Sequence, residues 1–398
     1  MPERRVDTVI LGAGIAGSAL AYHLAPRAGP VLLADPRPPA AGATGRAAGV
    51  VTLQLWNEWD VRVTREARAE YAQLAARHDP SAFTTNGFVR WTSRPDWVPL
   101  LEAAAERLRG WGVDVRPVPP NRLHDLLPAG RFDGVVAAVH APDDAVVTPS
   151  RLAEIYLEEA RRRGAEMAVG TAVGLPVARD GGWEIPIGGQ PVRARRLVVA
   201  AGAWSKRLLA DLGHPLPLAP YPTQAAVLAP PDPVAPTVPS AHDLDEDVYT
   251  RPEANGRILA GNGTRLVEVD PDRVPGGADD AFLTHLAETF GRRFPGWADA
   301  DLVRAWAGVC TATPDRRPLV GAVPGAPGLH VLVGFNGFGV MRAGAVAARL
   351  AARLGSDDDS APADGALAPV DPARFPPGTP ARSPRPGFTL EDGDDPRC

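Results

Sequence analysis

The chain begins with an apolar run at 6–11, a cluster of glycines, and then apolar residues at helical spacing to about residue 24. Strands buried on both faces are apolar throughout, whereas helices facing a core repeat their apolar positions every three or four residues. The same patterns predict a second strand at 31–34 that ends on Asp35, and helices at 65–77 and 98–111. Residues 87–91 (GFVRW) and 134–142 (GVVAAVHAP) read as strands. A helix with Arg151 near its start is expected to run to about 163 and stop at Gly164. The run RLVVAAGAWS at 196–205 reads as a buried strand that breaks into a turn at Gly202.

The pattern changes at 221–266, where short strands alternate with proline-rich joins. Residues 248–261 read as a hairpin with Asn255 and Gly256 at its tip. Another buried strand is expected at 329–335, with a helix at 340–354 after the NGFG stretch. From Ser356 the composition turns to Asp, Ala and Pro, and residues 376–398 are expected to form a disordered tail.

At 398 residues the chain is long for a single core, so two domains, contiguous or interleaved, are expected. Its 42 basic and 47 acidic residues are spread along the chain without a basic run, which argues against a nucleic-acid partner. Two cysteines, Cys310 and Cys398, build no disulfide framework, and no Cys/His cluster has metal-ligand spacing. No metal is therefore expected, and the cytoplasm is the expected compartment. Lys206 is the only lysine, so any chemistry needing an amine side chain rests there. The N-terminal apolar run mimics a signal peptide, but Asp7 and three glycines interrupt it, and a nucleotide-binding unit explains it better. No other segment is long and apolar enough to cross a bilayer, so no membrane partner is expected.

Gly12, Gly14 and Gly17 form a G-x-G-x-x-G pattern between a strand and a helix. The first glycine permits a tight turn, the second a close approach of backbone to a pyrophosphate, and the third close packing of helix on strand. The helix N-terminus adds free N–H groups and a positive dipole end. Asp35, at the end of the next strand, is placed to accept hydrogen bonds from ribose hydroxyls and would repel a 2′-phosphate. Strand, glycines, helix and acid together specify a dinucleotide site without deciding between FAD and NAD.

Four further stretches occur in order: GATGRAAG (42–49), VVAAGAWS (198–205), WAGVCTATPDRRPLVG (306–321) and GFNGFGVM (334–341). With the glycine loop, this set resembles the D-amino-acid oxidase, glycine oxidase and sarcosine oxidase superfamily of FAD enzymes. The likeness runs to about DPARF at 371–375. The resemblance implies an α/β chain: a Rossmann-like, glutathione-reductase-like FAD-binding domain interleaved with an antiparallel-sheet α+β substrate domain. The expected FAD-binding pieces are 1–80, 143–215 and 305–375, and the substrate pieces 81–142 and 216–304.

Expected FAD contacts are Gly12, Gly14, Ile15, Ala16, Asp35, Arg37, Thr44, Arg46, Ala47, Gly49 and Val50 from the first piece. Val173, Ala201, Gly202, Trp204, Gly308, Gly337, Phe338, Gly339, Val340 and Met341 complete the set. Thr44 is expected to donate to a phosphate and Arg46 to supply positive charge there. Trp204 reads either as a core aromatic or as a wall of the cofactor site. The helix after GFNGFGVM is expected to aim its positive end at the flavin pyrimidine edge.

The family oxidises C–N bonds, passing a hydride to flavin N5 and leaving an imine. The resemblance therefore implies a small amine or amino-acid substrate, with O2 or another electron acceptor. Here the chain departs from the family pattern. Glycine-oxidase-like members carry an arginine where this chain has Cys310, and a second arginine at 336–337, where it has Asn-Gly. Sarcosine-oxidase-like members place a carboxylate-binding lysine where this chain has Met341. Their covalent flavin cysteine aligns on Gly308 and their oxygen-reactive lysine near Glu268, so FAD is expected to be non-covalent. Either other residues hold a carboxylate, or the substrate is larger and less charged than glycine or sarcosine.

Replacement candidates follow from strand parity. Tyr249 and Arg251 point the same way in the 248–261 hairpin and are the candidate catalytic pair. Arg90, Tyr221 and Cys310 are candidate substrate-facing residues, Cys310 being otherwise a buried packing thiol. Arg342 is turned about 100° around its helix from Met341 and points at another segment. His140 and His242 read as structural or exposed. Two alternatives remain: an FAD-binding subunit of a multi-protein dehydrogenase, and an FAD enzyme that desaturates another bond. Neither oligomeric state nor substrate identity follows from the sequence.

Overall fold

A computed structural model describes residues 4–253, 255–261, 263–264, 267–356 and 365–381. Cys398 and all of the expected tail beyond residue 381 lie outside the described residues.

The glycine motif sits in a β-α-β unit, β1 (Arg4–Leu11), α1 (Ile15–Leu24) and β2 (Val31–Asp35). The next segments are β3 (Val50–Val51), α2 (Glu58–His78), β4 (Phe83–Thr85), β5 (Phe88–Thr92), α3 (Val98–Gly110), β6 (Arg116–Pro117), α4 (Leu123–Leu126) and β7 (Ala137–Ala141). They are followed by β8 (Ala145–Val147), α5 (Pro149–Arg162), β9 (Glu166–Val169), β10 (Val177–Arg179), β11 (Gly182–Ile187), β12 (Gln190–Val199) and α6 (Ser205–Asp211). The remainder is β13 (Ala219–Ala229), β14 (Ser240–Asp243), β15 (Val248–Pro252), β16 (Ile258–Gly261), α7 (Asp280–Arg293), β17 (Asp301–Ala312), β18 (Leu319–Ala322), β19 (Leu329–Val333) and α8 (Gly339–Leu354).

Among the described residues these strands form three sheets. In the first, β9, β2, β1, β12 and β19 run parallel in that order, with β10, β11 and β18 added antiparallel. Its parallel strands are apolar because both faces are covered: α1, α2, α5 and α8 pack one face, and Trp183, Leu209 and Leu218 pack the other. The second sheet has the order β17-β13-β16-β15-β14-β5-β7-β6, antiparallel except between β14 and β5. α4 and α7 cover its outer face through Leu123, Phe282, Leu286 and Phe290. A small sheet, β3-β8-β4, lies apart from both.

Several expected boundaries move. α2 begins at Glu58 rather than 65, because Asn57 caps it by accepting from the Asp60 N–H at 2.9 Å. The expected strand at 134–142 shortens to β7, since Gly134 turns the chain at a φ of 80°. The return to the nucleotide-binding piece, placed at 305, falls inside β17. That strand pairs with β13 from Asp301 to Ala312, so the WAGVCTA stretch belongs to the antiparallel sheet. β4 and β8 likewise join the small sheet, although 81–142 and 143–215 were assigned to different pieces. The 248–261 hairpin forms as expected, with Pro252 opposite Ile258.

Candidate active site

β1 and β12 end side by side, Leu11 opposite Val199, and the two chains leave the sheet together. The Ala200 N–H donates to the Leu11 carbonyl at 2.8 Å, and the Gly12 N–H to the Ala34 carbonyl at 2.9 Å. A β-carbon at Gly12, whose φ is +121°, would lie 2.4 Å from the Ala200 carbonyl oxygen; one at Gly17 would lie 2.0 Å from the Gly12 oxygen. Only glycine permits this packing of turn, strand and helix. Asp35 fixes the loop from the adjacent strand, accepting from the Ala13 N–H and the Arg37 N–H, each at 2.9 Å. The crevice outside the carboxyl ends of such strands is where open α/β sheets bind ligands.

From that crevice a cavity of about 750 Å³ extends under the antiparallel sheet, within the range of about 300–1,000 Å³ typical of ligand clefts. Every expected FAD contact lines it, from Gly12 and Asp35 through Val173 and Trp204 to Met341. Thr44 is buried, and its hydroxyl oxygen accepts from the Ile15 N–H at 3.0 Å, which leaves its own hydrogen for the cavity. Trp204 is a wall of the site: the Arg37 guanidinium stacks 3.6 Å above its ring, and its indole N–H donates to Asp272 at 2.6 Å. At the far end α8 begins on the cavity with no acidic residue and no side-chain cap in its first turn. The Tyr71 hydroxyl anchors that turn by donating to the Val340 carbonyl at 2.7 Å.

Arg46 lines the cavity and hydrogen-bonds within its own loop. Its guanidinium folds back onto the Ala41 and Gly42 carbonyls of its own loop, while its carbonyl accepts from Trp306 Nε1 at 3.0 Å. Gly308 lies where β17 crosses this loop, and a β-carbon there would be 3.2 Å from Arg46 Cβ.

The roof of the cavity is one face of the antiparallel sheet. Trp306, Ala225, Gly261, Tyr249, His242 and Arg90 are successive cross-strand partners from β17 to β5. Directly opposed residues share a face, and all of these except Gly261 line the cavity. Tyr249 covers Gly261 so closely that a β-carbon there would be 2.4 Å from the phenol oxygen. Four residues along β13 on the same face, Tyr221 stands opposite Cys310.

Arg251 does not belong to this wall. The parity is right, but two residues along β15 the 42–49 loop closes over the sheet. The guanidinium is consumed there by the Ala48 and Pro252 carbonyls and by Glu253. It positions the cofactor-side loop rather than reaching the cavity. Arg342 points away as expected, buried against Asp60 at 2.9 Å.

The electrostatics favour a neutral aromatic wall with cationic groups. Burial pushes the Tyr249 and Tyr221 phenols well above their ordinary range, so both stay protonated. Burial lowers the Arg90 guanidinium to about 9, opposed by the Asp144 charge, and leaves it cationic at neutral pH. Its Nη1 donates to the Gln54 carbonyl at 2.9 Å. Burial raises Cys310, which stands opposite Tyr221, to about 11. His242, read from sequence as structural or exposed, is buried on the wall with Nε2 3.1 Å from Asp247. Arg316, not singled out in the sequence, also lines the cavity. His242 is disclosed by its register against Tyr249 and Arg90, which single-sequence patterns do not carry. Lys206 is paired with Glu268 and is not among the lining residues.

The glycine cradle, the Thr44 hydroxyl and the open N-terminus of α8 fit a dinucleotide. The model of the FAD dependent oxidoreductase (DAO) family matches residues 7–354. The chain is 27% identical over 380 residues to dimethylglycine dehydrogenase of Rattus norvegicus, covering 86% of this chain and 42% of that protein. It is 27% identical over 367 residues to 4-methylaminobutanoate oxidase (formaldehyde-forming) of Paenarthrobacter nicotinovorans, covering 87% of this chain and 43% of that one. The chain thus spans less than half the length of these relatives. In fold it resembles glycine oxidase from Geobacillus kaustophilus, with a TM-score of 0.82 at 22% identity, over 94% of this chain and 99% of the other.

Proposed function

The chain belongs to the FAD dependent oxidoreductase family, and from that premise we propose that it oxidises the C–N bond of an amine or amino acid with FAD held non-covalently. The observation that carries this reading is the continuity of one cavity. Its glycine loop, Thr44 and Asp35 lie at one end, and a sheet face bearing Tyr249, His242 and Arg90 lies at the other. The names of two relatives, dimethylglycine dehydrogenase and 4-methylaminobutanoate oxidase, point to an N-methylated amine as the substrate class.

When bound, FAD supplies a two-electron acceptor for the hydride lost from the carbon beside nitrogen. The chain's own residues orient and enclose. Gly12 and Gly14 would admit the pyrophosphate, and the Thr44 hydroxyl would be the side chain that donates to it. The open N-terminus of α8 stabilises negative charge developing nearby. Tyr249, neutral and buried, presents a hydroxyl to the substrate, while Arg90 fixes the sign of charge on that wall. Trp56, Trp306 and Phe338 line the cavity and exclude water. Loss of hydride leaves an iminium ion, which in a secondary amine sheds its N–H proton to give an imine, and water hydrolyses either one to amine and carbonyl compound. Non-covalent attachment is supported by Gly308, where the chain has no nucleophile beside the Arg46 loop.

The test is anaerobic mixing of the yellow holoprotein with secondary and tertiary N-methyl amines. Bleaching of the flavin band is expected, and peroxide formation in air identifies oxygen as the acceptor. A flavin that no amine bleaches would contradict the proposal.

A further inference from the structure

A buried phenol is built into the first turn of α8. The Tyr71 hydroxyl, carried on α2, donates to the Val340 carbonyl at 2.7 Å and accepts from the Gly344 N–H at 3.4 Å. Val340 and Gly344 are the two ends of one i→i+4 step, the pair that an undisturbed helix joins directly. Tyr71 is fully buried, and burial pushes its pKa upward, so the hydroxyl keeps its proton. Room for the ring comes from Gly344, where a β-carbon would lie 2.9 Å from the Tyr156 hydroxyl and 3.3 Å from the Tyr71 ring. Tyr156 packs edge-on to Tyr71, with centroids 6.3 Å apart, and gives its own hydroxyl hydrogen to Glu70 at 2.6 Å.

This same turn opens α8 onto the cavity, where Gly339, Val340 and Met341 are lining residues. No side chain caps it, and no acid in it offsets its positive end. It follows a stretch of left-handed backbone, Asn336 at a φ of 53° and Gly337 at 83°. The Asn336 ties run to Thr311, Thr313 and Gly334 rather than to α8. The helix start is instead held from α2, by Tyr71 at 340 and 344 and by Asp60, which pairs with buried Arg342 at 2.9 Å. Hydrogen bonds in line polarise one another, so the bond given to the Val340 carbonyl makes the Met341 N–H of the same peptide more positive.

We propose that Tyr71 is a positioning residue that holds the positive end of α8 against bound FAD and thereby raises its reduction potential. Two-electron reduction adds negative charge to the flavin, and a helix N-terminus fixed in a cavity shielded from water favours the charged form. A slackened turn recedes and loses part of that preference. The inference rests on FAD occupying this cavity and not on which bond the protein oxidises.

The test is the reduction potential of the holoprotein, read by chemical reduction against a reference dye. Tyr71→Phe keeps the ring and removes only the hydroxyl. Its reduced FAD should bind roughly three- to tenfold less tightly relative to oxidised FAD, which lowers the potential by about 15 to 30 mV for a two-electron couple. Gly344→Ala disturbs the same contact from the other side while raising helix propensity, and should lower the potential too, whether or not Tyr71→Phe folds. In the double variant the two shifts should not add. Tyr156→Phe removes the hydroxyl that Glu70 holds, leaves the Tyr71 bond to Val340 in place, and should leave the potential where it is. An unshifted potential in Tyr71→Phe or in Gly344→Ala, or fully additive shifts, would overturn the proposal. So would an equal shift in Tyr156→Phe, which would assign the effect to packing alone. Because the reductant is chemical, a flavin that no amine bleaches would defeat amine oxidation and leave this inference standing on the shift.

Discussion

Tyr221 and Cys310 face each other as direct partners between β13 and β17, and both line the cavity. Cys310, read from the sequence as substrate-facing or as a buried packing thiol, is a cavity-wall residue beside a neutral phenol. Burial raises its pKa to about 11, so the thiolate is scarce at neutral pH. Alkylation of Cys310 by iodoacetamide should be slower than that of a free cysteine peptide at pH 8, and should accelerate only as the pH nears 11. Peptide mapping of the labelled chain reads this directly.

FAD should be released by denaturation. Precipitation with acid is expected to leave the yellow colour in the supernatant, because Gly308 offers no sulfur to the cofactor and burial keeps Cys310 in its thiol form. Colour that stays with the pellet would refute the non-covalent assignment.

Thr44→Val should weaken FAD binding by roughly 10- to 100-fold, the loss of a hydrogen bond to a charged group. Equilibrium dialysis against FAD measures it. Gly12→Ala should lose FAD altogether, since its β-carbon would overlap the Ala200 carbonyl at 2.4 Å.

Much of this site was legible because it depends on local patterns. Glycines at 12, 14 and 17 between a strand and a helix force one backbone solution, and the small residues at 42–49 and 201–202 mark close approach. The substrate wall was not legible in the same way. Trp306, Ala225, Tyr249, His242 and Arg90 meet only through the register of six strands drawn from distant parts of the chain. Strand parity placed Tyr249 correctly and failed for Arg251, because parity knows the face of a strand and nothing of the loop that covers its end. β17 was divided at 305 for a related reason: the WAG stretch reads as a cofactor motif, yet its backbone pairs with β13.

Gly261→Ala should impair turnover more than Tyr249→Phe does. The new methyl must displace the Tyr249 ring, which would otherwise lie within 2.4–2.9 Å of it, whereas the phenylalanine keeps the ring in place and removes only the hydroxyl. A fall of at least about tenfold in kcat/KM is expected for Gly261→Ala, equivalent to some 1.4 kcal/mol of transition-state stabilisation. Steady-state kinetics on the best amine found compares the two.

Asp144 gives a pH signature. Burial raises its pKa from 3.8 to about 6, against hydrogen bonds from Thr52 and the Leu53 N–H. A carboxyl with a raised folded pKa adds stability that is complete below the unfolded pKa and is lost as pH rises through the folded one. The stability of the parent relative to Asp144→Asn should therefore fall between about pH 4 and 6, by on the order of 3 kcal/mol at about 1.4 kcal/mol per pKa unit. Paired denaturant titrations at several pH values read the difference.

The most direct measurement is anaerobic titration of the purified holoprotein with N-methyl amino acids, followed in the visible flavin band. The account predicts stoichiometric bleaching by at least one of them, with a carbonyl compound appearing once water has hydrolysed the imine. An unbleached flavin across secondary and tertiary amines, with or without a carboxylate, would contradict it.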